Sequence, residues 1–103
     1  EFLKKVNSTK GEFYYFYTKW CPHCKTANET LEKIKSNPIF KKYKLNFMYI
    51  DCEEKENKSL VEQYNIKEYP SYILIVNGKK FIYDANLHPE SLQRFLKAVY
   101  KKI

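Results

Sequence analysis

Phe16-Tyr17-Thr18-Lys19-Trp20-Cys21-Pro22-His23-Cys24-Lys25 is where two periodicities of the chain meet. Upstream, residues 12–18 are a run of Phe and Tyr, the composition of a strand buried on both faces. Downstream, Pro22 suits the first position of a helix, where its missing N–H costs nothing. Ala27, Leu31 and Ile34 supply an inner stripe that carries this helix to about residue 36. Asn37-Pro38 then stops or kinks it, and residues 39–44 can add a further turn. The Cys-x-x-Cys therefore lies at a strand-to-helix junction. Cys21 is expected at an exposed helix start and Cys24 one turn in, so the two sulfurs can meet. Cys21 then faces unsatisfied N–H groups and the positive end of the helix dipole. Both favour the thiolate, and His23 adds a hydrogen-bonding or positive neighbour.

The remaining elements follow from the same reading. Residues 1–8 suggest a short helix with Phe2, Leu3 and Val6 on one side, broken by Thr9-Lys10-Gly11. Residues 44–51 are a second buried strand, and 57–64 a helix carrying Leu60, Val61 and Tyr64. Residues 71–76 and 80–83 flank Asn77-Gly78, a strong hairpin signal. Pro89 opens a last helix with Leu92, Phe95, Leu96, Val99 and Ile103 inward, and its Lys-rich end complements the helix dipole. The first two strands, joined by a helical crossover, should be parallel, and the hairpin adds two antiparallel strands. The fold class is α/β, one domain over residues 1–103, with a mixed sheet flanked by helices.

Composition limits the function classes. One domain is all that 103 residues hold, and an apolar fraction of 44% with 17% aromatics supports a core. A mean hydropathy of -0.66 without a long apolar run excludes a membrane span in this chain. The net charge of +7 comes from lysines spread along the whole sequence, with Arg94 the single arginine. No nucleic-acid-binding motif accompanies them, so the charge is read as a solvated surface that steers acidic partners.

Three cysteines are too few for a disulfide scaffold. Cys21, Cys24, His23 and Cys52 would make enough zinc ligands, but there is no second Cys pair and Pro22 pulls His23 away from a tetrahedral set. Haem attachment requires His directly after the second Cys, and Lys25 stands there. Inert core thiols are a poor fit to a helix start. Disulfide exchange through a mixed disulfide is the reading that uses the motif.

Residues 16–25 resemble the active-site segment of thioredoxins and protein disulfide isomerase domains. Tyr64-Asn65-Ile66-Lys67-Glu68-Tyr69-Pro70-Ser71-Tyr72 resembles their second landmark, a tyrosine helix end followed by a cis-proline loop, and Asn77-Gly78-Lys79 is similar to their hairpin turn. The resemblance covers nearly the whole chain. It implies a thioredoxin fold, here with four strands because the family's N-terminal strand has no counterpart. It implies Cys21 as attacking thiol, Cys24 as resolving thiol and His23 as tuning neighbour. Trp20, Pro22, Tyr69 and Pro70 would contact substrate, with Trp20 on the rim and Asp51 placed to accept its indole N–H. No cofactor and no metal are implied. The partners would be protein thiols and disulfides and an unidentified redox partner, and a monomer is expected.

Departures from the family matter as much. Six residues before Cys21, where the family carries a buried acid that moves protons for the inner Cys, stands Tyr15. The lysine that thioredoxins commonly place opposite that acid falls near Phe47. Pro22-His23 matches the dipeptide of the bacterial periplasmic disulfide-forming oxidant, whose inserted helical domain is absent here; by stabilising the Cys21 thiolate, and so the reduced form, it predicts a couple more oxidising than thioredoxin's. Cys52, just after the second strand, reads either as a small structural residue or as a dimerising or regulatory thiol. Two rival functions stay open: a redox-inactive binding module using the Tyr69-Pro70 groove, and a glutathione-dependent glutaredoxin, against which Trp20 and the lack of a glutathione clamp stand. The chain begins at Glu1 rather than Met, which leaves open a removed signal or anchor, and the compartment stays open with it: cytoplasmic, or an oxidising one such as the endoplasmic reticulum lumen.

Overall fold

Phe13 and Tyr15 face one side of their strand and Phe16 the other, and that alternation divides the protein into two cores. The computed structural model describes residues 10–102; the helix expected over 1–8 and the inward role of Ile103 lie outside them. Strand β1 (Gly11–Tyr17) is followed by helix α1 (Pro22–Lys35), a 3-10 helix (Pro38–Tyr43) and strand β2 (Leu45–Asp51). A 3-10 turn (Lys55–Asn57) leads into helix α2 (Lys58–Gln63). Strands β3 (Ser71–Val76) and β4 (Lys79–Tyr83) precede helix α3 (Pro89–Lys101). The sheet order is β2-β1-β3-β4, with β1 parallel to β2 and antiparallel to β3, as the crossover and hairpin require.

The larger core lies between the sheet and helices α1 and α3. It joins Phe13, Tyr72 and Leu74 with Leu31, Ile34, Leu92 and Leu96. Each such aliphatic side chain contributes about 1.5–3 kcal/mol by leaving water. On the opposite face, Phe16, Ile50 and Ile73 pack with the half-buried Leu60, Val61 and Tyr64 around α2. Among the described residues no helix is long and apolar enough to cross a membrane.

Local chemistry sets the boundaries. The side chain of Asn37 accepts from the Ile39 N–H at 3.1 Å, so Asn37-Pro38 ends α1 and caps the 3-10 helix in one step. Asn77 and Gly78 both take positive φ, 54° and 74°, as a two-residue hairpin turn demands. Gly11 is required by close approach: a Cβ there would lie 2.6 Å from the Tyr100 hydroxyl. That hydroxyl donates to the Tyr43 carbonyl at 2.9 Å and ties α3 to the 3-10 helix.

Strand register assembles one edge of the sheet. Tyr17 pairs with Asp51 and Phe16 with Ser71, so the exits of β1 and β2 and the entry of β3 lie together. The Cys turn, residues 51–53 and the Tyr69-Pro70 loop converge there.

Candidate functional site

Cys21 is the N-cap residue of α1, with extended backbone (φ -74°, ψ 115°) and Pro22 in the first helical position. Its N–H is held by the Thr18 carbonyl at 3.4 Å, and its own carbonyl accepts from the Cys24 N–H at 3.2 Å. The turn brings the two residues to a Cα separation of 5.3 Å, and their sulfurs are joined as a disulfide. The expectation of an exposed Cys21 is corrected: it is 7% exposed, and Cys24 4%. Both join the larger core cluster, with Ala27, Leu31 and Ile34 of the same helix. No side chain caps the helix start and no acidic residue occupies its first turn, so the positive end of the helix dipole at Cys21 is not offset.

At the same sheet edge, the Tyr69-Pro70 peptide bond is cis. His23 and Pro70 line one groove of about 920 Å³ together with Thr26, Ser71, Asp84 and His88. His23 and Pro22 are exposed beside the disulfide. Trp20 is 63% exposed and meets Tyr69 edge-on, with ring centroids 5.9 Å apart at 88°. The expected site residues Trp20, Cys21, Pro22, His23, Cys24, Tyr69 and Pro70 thus share one sheet edge.

The indole partner differs from expectation. Trp20 Nε1 donates to Glu53 Oε2 at 2.9 Å, not to Asp51. Asp51 is otherwise engaged: its Oδ1 accepts the Glu53 N–H at 3.0 Å, and its Oδ2 lies 3.9 Å from Lys19 Nζ. The sequence contained the signal, an exposed indole donor needing an acid, but offered two acids two residues apart.

Beneath the disulfide, Tyr15 is 2% exposed and its hydroxyl donates to the Cys24 carbonyl at 2.8 Å. Burial pushes its pKa up to about 12, with the neighbouring Tyr17 adding to the rise. The group therefore remains a donor near neutral pH. Its ring stacks on Tyr17 and Tyr72 at 5.2 and 5.7 Å. Opposite Tyr15 the strand register places Tyr49, while Phe47 faces Phe13. The expectation of Phe47 at that place is thus corrected by two residues along β2. Tyr49 turns its hydroxyl outward to Glu32 Oε2 at 2.5 Å, which lowers the Glu32 pKa and helps raise that of Tyr49.

Cys52 continues the β1–β2 ladder through its N–H to the Tyr17 carbonyl at 2.8 Å. Its half-buried thiol belongs to the smaller core, and burial pushes its pKa up to about 11. Residues 84–88, which close the far side of the groove, were not singled out in the sequence. No spacing marks a loop whose place depends on how β4 and α3 dock.

This geometry defines a class: a small α/β domain that holds a cysteine pair at a helix start against a cis-proline loop. The thioredoxin family model matches residues 1–98, and the chain belongs to that family of disulfide oxidoreductases. It is 34% identical over 86 residues to a protein disulfide-isomerase of Ricinus communis, covering 80% of this chain and 17% of that protein. Protein disulfide-isomerase A5 of Bos taurus is 32% identical over 87 residues, covering 82% of this chain and 16% of that protein. The chain thus spans about a sixth of the length of these relatives. Among solved structures, the thioredoxin of Malassezia sympodialis shares the fold with TM-score 0.71 at 24% identity, covering 95% of this chain and 83% of that one.

Proposed function

We propose that this domain is a protein thiol–disulfide oxidoreductase with Cys21 as nucleophile and Cys24 as resolving thiol. In the reducing direction, the Cys21 thiolate attacks one sulfur of a substrate disulfide and expels the other as thiolate. Cys24 then attacks Cys21 in the mixed disulfide and releases the second substrate thiol, leaving Cys21 and Cys24 oxidised and the substrate reduced by two electrons. Oxidation of a dithiol runs the same steps backward. His23, exposed beside the pair, is the tuning neighbour, and Trp20, Pro22, Tyr69 and Pro70 receive the polypeptide. The observation that carries this reading is the cysteine pair joined at the start of α1, on the same sheet edge as the cis Tyr69-Pro70 bond.

The couple is proposed to be more oxidising than thioredoxin, whose potential is about -270 mV. A helix start with no competing acid, plus the imidazole of His23, stabilises the Cys21 thiolate and hence the reduced form. Equilibration with a glutathione buffer tests this. The potential should lie above that of thioredoxin and fall in the His23→Pro variant. A value at or below thioredoxin's, or one unmoved by the substitution, refutes the oxidising assignment.

A further inference from the structure

We propose that Glu53 is a positioning residue for polypeptide substrates, holding the Trp20 indole edge-on to Tyr69 before any substrate docks. The proposal rests on the oxidoreductase reading above. An indole that is 63% exposed has little packing to fix its rotamer, and two contacts supply what packing does not. One is the charge-assisted hydrogen bond to Glu53 at 2.9 Å, the other the edge contact with Tyr69 at 5.9 Å.

Glu53 can act this way because its own loop is tied down. Its N–H is held by Asp51 Oδ1 at 3.0 Å. The Asp51 carbonyl accepts from the Glu54 N–H at 3.2 Å and from Asn57 Nδ2 at 2.9 Å. The acid is thus fixed to the exit of β2, the indole to the turn before Cys21, and the tyrosine to the cis-proline loop. Three segments distant in sequence form one rim.

Ordering a large side chain on binding opposes affinity, so presetting it favours docking. Glu53 bonds to the indole and not to the disulfide, so its effect falls on substrates wide enough to meet the rim. A small disulfide that reaches Cys21 alone should not register it.

The test uses Glu53→Ala and Glu53→Gln in the whole protein, with insulin as polypeptide disulfide and hydroxyethyl disulfide as small one. Trp20 is the single tryptophan, so time-resolved fluorescence anisotropy reads its local motion directly. In Glu53→Ala the fast local component of the anisotropy should grow. KM for insulin should rise about two- to tenfold with kcat held within about twofold, and hydroxyethyl disulfide kinetics should not change. Glu53→Gln keeps an acceptor oxygen and should stay near the native values in all three. Native anisotropy in Glu53→Ala overturns the proposal, as does an equal loss on both substrates or a glutamine variant that behaves like alanine. A native protein inert toward both disulfides overturns the oxidoreductase reading instead, and the indole's motion still decides the positioning role.

Discussion

Tyr15 occupies the place of a proton-moving acid and does a different job. Its hydroxyl is spent on the Cys24 carbonyl, and a pKa pushed up to about 12 keeps it protonated at any pH where thiols exchange. It fixes the first turn of α1 to β1 without accepting the Cys24 proton. Resolution by Cys24 should therefore speed up with pH toward an ordinary thiol pKa, about 8.5. Tyr15→Phe should keep that profile and cost about 1 kcal/mol of stability through the lost hydrogen bond. Tyr15→Asp should raise the rate near pH 7 and lower the melting temperature, because the carboxylate is buried among the rings of Tyr17, Tyr49 and Tyr72. Rapid-mixing measurements of mixed-disulfide decay across about pH 6 to 8.5 decide it. A flat native profile there would mean that another group takes the proton.

Elements in this protein are joined at narrow contacts, and Gly11 is one of them. An alanine Cβ would meet the Tyr100 hydroxyl at 2.6 Å, Leu45 at 3.1 Å and Leu74 at 3.3 Å. Tyr100 cannot yield freely, since its ring also packs edge-on to Tyr43 at 5.0 Å. Gly11→Ala should destabilise by about 1–3 kcal/mol, and adding Tyr100→Phe should recover part of that loss. Denaturant unfolding of both single variants and the double variant measures the coupling; strictly additive losses would contradict the contact. Elements of this kind were legible where one residue dominates the local physics. Pro22, Asn37-Pro38, Asn77-Gly78 and Pro89 each fix a backbone angle or a cap, and the structure begins or ends an element at every one. What was not legible depends on distances between elements. The two-residue choice between Phe47 and Tyr49, the choice between Asp51 and Glu53, and the depth of Cys21 are set by register and docking. The pattern of hydrophobic residues allows either answer.

Across the whole molecule, tyrosines are a shared titration load. Ten are present, and burial raises the pKa of Tyr14, Tyr15, Tyr49, Tyr72, Tyr83 and Tyr100, to about 12 for Tyr15 and Tyr100. A raised folded-state value means that the folded form holds its protons longer than the unfolded form. The stability from these groups is fully present below the unfolded value of about 10 and is lost as pH rises through the folded values. The expected result is cooperative alkaline unfolding between about pH 10 and 12, with the tyrosinate absorbance of these six groups and the loss of circular dichroism rising together. Tyrosinate absorbance exceeding that of the four remaining tyrosines before the fold is lost would contradict it.

The central position of β1 also governs which motions the redox turn can share. The strand is bonded on both sides, to β2 and to β3, while β2 and β4 are outermost in the described sheet. Its amides open to solvent only when two neighbouring ladders part, so native-state hydrogen exchange should place them in the last cooperative unit to open. The Cys21 N–H hangs on Thr18, one residue beyond that strand. Breaking or making the bond between Cys21 and Cys24 should therefore be felt in β1 rather than in a fraying loop. The oxidation state should shift the global opening free energy, and with it the protection of every β1 amide at once.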